Sequence, residues 1–406
     1  MSPHRNDWRL TVGLFALTGL VESLAFGHLS AFTPLYLSQL HVAQADIPRW
    51  TGILSALGFI IGLPMLPFWG VLADRYGRKI IVIRSSVFAA LIYALSAFAP
   101  DVYWLGFARF WGGFVMGNTG VMMAVQADIT PRDRLGTAVA VISAGSPVGM
   151  AIGPALGGQI VDTFGVRSLL WMDTGLTVLV VLALTLLLKE EPRILDRTQT
   201  ARAGAAEALR AIMHTPLVIG LFSAVFFLAL GLSMAMPYTP ILVTQLYHGL
   251  KPGTTIGIVL TLTGITMAIS TPVWGRIGDR NGHLGVFRLC AALVAVTLAG
   301  QAIAGQVWQV GFWRAAQGLC QGGIGALAMT LLALYSPPER RSSILTLSLL
   351  PQQLAWFLGP LAAAALSGLG IRVVFWAGVL ALLAGLGVSM RLPELEHPEP
   401  EPQAAR

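Results

Sequence analysis

Pro67-Phe68-Trp69-Gly70-Val71-Leu72-Ala73-Asp74-Arg75-Tyr76-Gly77-Arg78-Lys79 pins charge and glycine between two long apolar runs. The pattern returns as Pro272-Val273-Trp274-Gly275-Arg276-Ile277-Gly278-Asp279-Arg280-Asn281-Gly282-His283. Gly70 and Gly275 lie 205 residues apart, and so do Asp74 and Asp279. Further out, Thr33-Pro34 recurs as Thr239-Pro240, Arg109 as Arg314, Gly153-Pro154 as Gly359-Pro360, Arg167 as Arg372 and Trp171 as Trp376. The chain is one unit written twice.

Of its 406 residues, 55% are hydrophobic and 11% charged, and the mean hydropathy is +0.72. Soluble domains carry about 25% charge, so most of this surface must face lipid. At about 20 apolar residues per crossing, there is room for about a dozen helices. Period-2 alternation is absent, which disfavours a barrel. The expected spans are 11–38, 47–72, 80–99, 102–127, 135–161, 166–188, 213–246, 253–276, 284–305, 306–333, 342–368 and 371–390. The expected fold is an all-α polytopic membrane protein, with twelve transmembrane helices in two pseudo-symmetric six-helix bundles, 1–188 and 213–391. A cytoplasmic linker, 189–212, joins them, with a short amphipathic helix expected over 205–213, and a Pro- and Glu-rich tail, 392–406, is expected to be disordered. Such a duplication places a pseudo-twofold along the membrane normal and a site between the halves near the midplane.

A net charge of +7 would suggest nucleic acid in a soluble protein. Here the positive-inside rule accounts for it. With the Asp74 loop taken as cytoplasmic, twenty Lys and Arg, among them Arg75, Arg78, Lys79, Arg84 and Arg134, fall on that side. Arg49, Arg167, Lys251 and Arg372 fall on the other, and Arg109 and Arg314 lie inside spans. Both termini are therefore expected in the cytoplasm. Cys290 and Cys320 sit in apolar runs and suggest no disulfide. The run after Arg9 is too long for a cleaved signal and reads as a retained first span.

Gly70 to Lys79 resembles the loop signature G-x-L-a-D-r-x-G-r-k of the major facilitator superfamily, and the resemblance extends over essentially the whole chain. Leu105, Arg109, Gly112 and Gly113 resemble the family's fourth-helix motif, with Gly112 where Gln is usual. Gly149, Gly153, Pro154, Gly157 and Gly158 resemble the fifth-helix signature of its exporters, with Ala140 in place of an upstream Gly. The set is most similar to the twelve-helix drug:proton antiporters. The resemblance implies the major facilitator fold. It also implies a loop network that latches the halves in the outward-facing state: Gly70, Asp74, Arg75, Gly77, Arg78, Asp128, Arg134 and, in the second half, Asp279. A static folding and topology signal is the alternative.

Glu22 stands about ten residues into the first span, or about 15 Å deep at ~1.5 Å per residue, half of a ~30 Å core. A carboxylate there costs about 2.5–3.5 kcal/mol. The duplicated position is Leu228, so the fold itself does not require the acid. A carboxyl away from water favours its neutral form, whereas a cation beside it favours the ionised form. One such group can therefore hold a proton or a cationic substrate in turn. Arg109, at compatible depth, is the expected partner of Glu22, as relay, as tuning charge or as a structural ion pair. Arg314, Gln317 and Gln321 share one helical face, which either lines the cavity or packs helices. Phe26, Asn118, Trp313 and Trp356 complete the expected substrate cavity, with Phe32, Phe226, Phe227 and Phe357 as further wall candidates. Asp173, some six residues from the outer edge, reads as a solvated or capped acid, with a second protonation site as the alternative, and His28 points away from Glu22, with a proton relay as the alternative. The fifth-helix glycines are close-packing positions around a Pro154 pivot or an occlusion seam.

No HExxH, no G-x-x-x-x-G-K-[ST] and no paired intramembrane aspartates occur, so nothing suggests an enzyme, a metal or a cofactor. The expected protein is a monomeric, proton-coupled exporter of small amphipathic, cationic compounds in a bacterial inner membrane, binding substrate, protons and lipid but no nucleic acid. An exporter of sugars or other metabolites on the same fold is the alternative, and a membrane sensor a more distant one.

Overall fold

The computed structural model describes residues 7–189, 210, 212–337 and 341–394. Among them there are helices and turns but no strand. Backbone groups in hydrocarbon have no water to bond, and a helix satisfies them within one segment. The chain begins with α1 (Trp8–Gln39), α2 (Ile47–Tyr76) and α3 (Arg78–Ala97), continues through α4 (Val102–Phe110) and α5 (Asn118–Ile129), and reaches α6 (Leu135–Leu187). The second half holds α7 (Pro216–Ala235), α8 (Thr239–Leu246), α9 (Pro252–Asn281), α10 (His283–Ile303), α11 (Val307–Tyr335), α12 (Arg341–Thr346), α13 (Leu350–Leu366) and α14 (Ile371–Met390). Nine helical stretches among the described residues are long and apolar enough to cross a membrane. It is a multi-pass membrane protein.

The duplication is written into the backbone. Gly77 (φ 100°) is the single residue between α2 and α3, and Gly282 (φ 88°) the single residue between α9 and α10. Gly165 (φ 84°) kinks α6, and Gly370 (φ 116°) precedes α14. Each pair is 205 residues apart. At positive φ a Cβ is strained, which is why the quoted stretch ends on glycine before the basic residues. Hydrogen bonds repeat as well. Arg167 Nη2 donates to the Ala99 carbonyl at 3.0 Å, and Arg372 Nη2 to the Ala304 carbonyl at 2.9 Å.

Three expected spans are not continuous α-helices, the one over 213–246 passing through a 3-10 turn, Met236–Tyr238, between α7 and α8. The span expected over 102–127 breaks into α4, a 3-10 turn over Trp111–Val115 and α5, with Gly117 left-handed at φ 85°. Three glycines within six residues weaken the helix there. A Cβ on Gly113 would strike the Gly62 backbone of α2, and one on Gly117 the Trp69 ring. The span expected over 342–368 is divided between α12 and α13 by a turn over 347–349, where Pro351, in the first turn of α13, has no N–H to bond back to the preceding helix.

The expected tail is corrected at its start. Arg288 Nη2 donates to the Leu392 carbonyl at 2.8 Å, Arg288 pairs with Glu394 at 3.1 Å, and Tyr335 donates to the Pro393 carbonyl at 2.8 Å. Leu392 is buried against Gly220 of α7. Nearly all of the expected 189–212 linker and everything beyond Glu394 lie outside the described residues.

Candidate functional site

A cavity of about 530 Å³ lies between the halves. Gly27 and Ser30 of α1 and Met150 and Pro154 of α6 face it from the first half. α7, α9, α11 and α13 face it from the second, with Phe222, Leu228, Thr263, Met267, Arg314, Gln317, Gln321, Gln352 and Trp356. Most of the wall is apolar, and Arg314 is the one charged side chain among its described lining residues. Arg314 Nη1 donates to Gln317 Oε1 at 3.3 Å, and the Gln317 amide donates to Gln321 at 3.4 Å. Gln301 of α10 completes this stripe by donating to Gln317 at 2.8 Å. The i, i+3, i+7 spacing on α11 thus puts one polar row on the cavity side.

At one end the halves close on each other. Asp162 of α6 accepts from the backbone N–H of Gly253 at 2.8 Å and of Thr254 at 2.7 Å. These are orphan donors in the first turn of α9, which Lys251 does not cap. Beside this contact, a Cβ on Gly158 would strike the Gly253 carbonyl, and one on Gly257 the Pro154 carbonyl. The pseudo-symmetric contact is present too: a Cβ on Gly52 of α2 would strike the Pro360 carbonyl of α13. Gly52 and Gly257 are again 205 apart. The cavity lining runs the other way, to Leu221, Leu332 and Leu349 at the opposite helix ends. Asp162 carried no sequence signal beyond being an acid at the end of a span.

Glu22 is not among the residues lining this cavity, a correction to the expected site. It lies inside the first half, partly buried, where Ser85 Oγ donates to it at 3.0 Å, Ser86 Oγ at 2.9 Å and Asn118 Nδ2 at 3.2 Å. The Gly117 break makes Asn118 the first residue of α5 and brings its side-chain amide to the carboxyl. Asn118 belongs to this cluster and not to the cavity wall. The cation within electrostatic reach of Glu22 is Arg84, one residue from Ser85 on α3. Arg84, counted by charge on the cytoplasmic side, lies within α3 with Cζ 3.3 Å above the centre of the Trp69 ring. Its Nη2 donates at 3.0 Å to the Met116 carbonyl, a group freed by the break after α4. Cation–π contact and a broken helix hold this arginine in place.

Arg109 does not pair with Glu22. Its Nη2 donates to Thr33 Oγ1 at 2.6 Å, and it borders a small cavity of about 50 Å³ with Phe26, Phe59 and Trp356. Phe26 stacks on Trp356 across the two halves, with centroids 6.2 Å apart. Trp313 is a further correction. Its ring fills the space beside Gly300 of α10 and faces away from the cavity.

Asp173 is another correction, because it is fully buried instead of solvated. Its Oδ1 lies 2.8 Å from His28 Nδ1, and His28 Nε2 lies 2.8 Å from the Gly153 carbonyl. The fifth-helix glycines explain this contact. Gly145 and Gly149 leave room for the Ala16 and Leu20 carbonyls of α1, Gly153 for Leu24, and Gly157 for the His28 ring. Gly145 and the motif's Gly149, Gly153 and Gly157 form a ladder against α1, while Gly158 and the Pro154 carbonyl face α9.

In the loop network, Arg78 pairs with Asp128 at 2.7 Å, Arg134 with Asp133 at 3.3 Å, and Asp279 with His283 at 3.2 Å. Arg75 is exposed over the Tyr76 ring. Each of these pairs stays within one half. Gly70 and Asp74 lie in the last turns of α2.

The family model described as Major Facilitator Superfamily matches residues 15–253 and 221–406. Among curated relatives, "Multidrug resistance protein MdtG" of Enterobacter lignolyticus (strain SCF1) is 25% identical, over 95% of this chain and 93% of its own. The protein of the same name from Citrobacter koseri is 27% identical, over 91% of each chain. Among solved structures, a bacterial homolog of the human lysosomal transporter Spinster, inward-facing and unoccupied, superposes with TM-score 0.78 at 14% identity, over 97% of this chain and 98% of its own. A point mutant of the nucleoside transporter NupG superposes with TM-score 0.76 at 13% identity, over 94% of this chain and 99% of its own. The chain belongs to the Major Facilitator Superfamily and is a transporter, not an enzyme.

Proposed function

We propose that this protein is a proton-coupled exporter of small amphipathic compounds, working by alternating access of two six-helix halves, 1–188 and 213–391, in a bacterial inner membrane. The observation that carries this reading is the largely apolar cavity between the halves, shut at the Asp162 end and extending to the other. The relatives' multidrug-resistance name supports it. With the Asp74 and Asp279 loops in the cytoplasm, as charge balance favours, the closed end faces outward and substrate enters from inside. The chain acts as a monomer, since both halves of the cavity come from one copy.

Glu22 and Arg84 form the proposed coupling pair. A proton on Glu22 cancels the charge that Arg84 faces. Arg84 then depends on Trp69 and Met116 alone, which changes how α3 and α5 seat on α1. Because Glu22 is held by Ser85, Ser86 and Asn118 and is not among the cavity's lining residues, proton and substrate communicate through the helices and do not compete for one carboxylate. The preference for cations rested on an acid in the wall. An arginine beside a row of glutamines suits neutral amphipathic compounds instead.

Everted vesicles carrying a pH-sensitive dye test this. Chloramphenicol, as a neutral amphipathic probe, should produce a proton movement that vesicles lacking the protein do not show, with tetraphenylphosphonium as the cationic comparison. Response only to a sugar would move the assignment to metabolite export. Binding with no transport under any gradient would favour a sensor.

A further inference from the structure

We propose that His28 and Asp173 form a second proton-binding site, separate from Glu22, whose proton holds α1 against both parts of the kinked α6. The argument is one of donors and acceptors. The Gly153 carbonyl can only accept, so His28 Nε2, 2.8 Å away, carries a hydrogen. Nδ1 and Asp173 Oδ1 are also 2.8 Å apart and need a hydrogen between them. That hydrogen sits on Nδ1 of an imidazolium or on Oδ1 of a carboxylic acid. In both forms the pair is neutral overall and holds one proton more than a neutral imidazole beside a carboxylate.

Release of that proton to water leaves a net charge of −1 and forces a choice. If Nε2 keeps its hydrogen, the Nδ1 lone pair faces a carboxylate. If the hydrogen moves to Nδ1, the Nε2 lone pair faces the Gly153 carbonyl. One of the two bonds breaks in either case. The Gly153 bond lies in the glycine ladder, and the Asp173 bond lies beyond the Gly165 kink, so proton occupancy decides whether α1 bridges both parts of α6. Side chains of His28 and Asp173 are wholly buried, and Asp173 Oδ2 has no hydrogen-bond partner among the described residues. The site nevertheless sits one residue behind the cavity wall on both helices, since Gly27 and Pro154 line it.

Few other charges act there. Tyr93 of α3 lies within electrostatic reach of Asp173, of Glu22 on α1 and of Arg109 on α4. The ionisable groups of α2, α5 and α9, including Arg49, Asp128, Arg276 and Asp279, stand at the ends of their helices, and α8 has none. On α6 itself Asp162 is engaged with α9 and Arg167 with Ala99.

The test is histidine-selective ¹⁵N NMR on the full chain in lipid nanodiscs, titrated from about pH 5 to about pH 9, with His28→Gln identifying the resonance. Expected is a hydrogen on Nε2 in the loaded form and a bridging proton lost in one step. Glu22→Gln should keep that step. Asp173→Asn should remove it, while its amide still donates to Nδ1 and preserves the fold. A His28 resonance unchanged with pH, or an Nδ1–H tautomer with bare Nε2 in the loaded form, overturns the proposal.

A role in transport rests additionally on the proposed function. Asp173→Asn should lower proton-driven chloramphenicol efflux by at least about ten-fold while gradient-free counterflow changes less than about two-fold. Equal loss of both would make the contact structural only and overturn that role. A titrating His28 in a wild-type protein that moves no protons with either probe would defeat the proposed function and leave the site standing.

Discussion

Removing the Asp162 carboxylate should open the end of the cavity that it closes. In Asp162→Ala, the N–H groups of Gly253 and Thr254 lose acceptors at 2.8 and 2.7 Å. Loss of an N-cap acceptor costs about 0.5–2 kcal/mol, and bonds to a charged group lie toward the upper end of the range for hydrogen bonds. The donors are at a helix end, where water can replace part of the loss, so about 1–2 kcal/mol is expected. Because the two bonds join different halves, that energy falls on the equilibrium between closed and open outer ends. A shift of about 1–2 kcal/mol changes a two-state ratio by roughly 5–30-fold. Spin labels at Gln44 and Leu250, both exposed near that end, read the separation of the halves. Double electron–electron resonance should show a longer-distance population growing by that factor in Asp162→Ala and by less in Asp162→Asn, which keeps one carbonyl acceptor. Identical distance distributions in wild type and Asp162→Ala would refute the assignment of this contact as a gate.

Gly149→Ala sets a Cβ against the Leu20 backbone carbonyl and should lower the thermal midpoint, with overpacking costing about 1–3 kcal/mol; Gly136→Ala, with open space around its Cβ, is the control. Arg84→Lys keeps the charge but loses the planar stack on Trp69 and the bond to Met116, so proton-driven efflux should fall about ten-fold at unchanged expression. Arg314→Met keeps most of the side-chain volume and removes the cavity's charge. At an effective dielectric near 20 the change should favour tetraphenylphosphonium over chloramphenicol by about ten-fold in competitive binding, and an unchanged ratio would remove Arg314 from the substrate site.

Repetition made the architecture legible. Gly77 and Gly282, or Gly165 and Gly370, could be paired by counting alone, and each pair adopts the same backbone conformation. Depth along a helix was legible too, which is why Glu22 and Arg109 stood out. Direction around the helix axis was not. Glu22 and Phe26 are four residues apart on one face of α1, yet Phe26 meets Trp356 of the other half while Glu22 meets Ser85 and Ser86 of its own. The partners of Arg84 were not legible because the break that frees the Met116 carbonyl depends on how Gly113 and Gly117 fit against Gly62 and Trp69 in space. Asp173 was misplaced because closeness to a span's end says nothing about burial when α6 is wedged against α1 and α3. The i−4 step from Gly149 to Gly145 was available in the chain, and following it would have extended the ladder by one rung.

Binding and proton-driven transport measured together on Glu22→Gln test the central claim most directly. With the carboxyl engaged by Ser85, Ser86 and Asn118 and not lining the cavity, chloramphenicol affinity in nanodiscs should stay within about two-fold of wild type while proton-driven efflux in vesicles falls by about 100-fold. Affinity lost in parallel with transport would return Glu22 to the substrate cavity, and efflux at the wild-type rate would remove it from the mechanism.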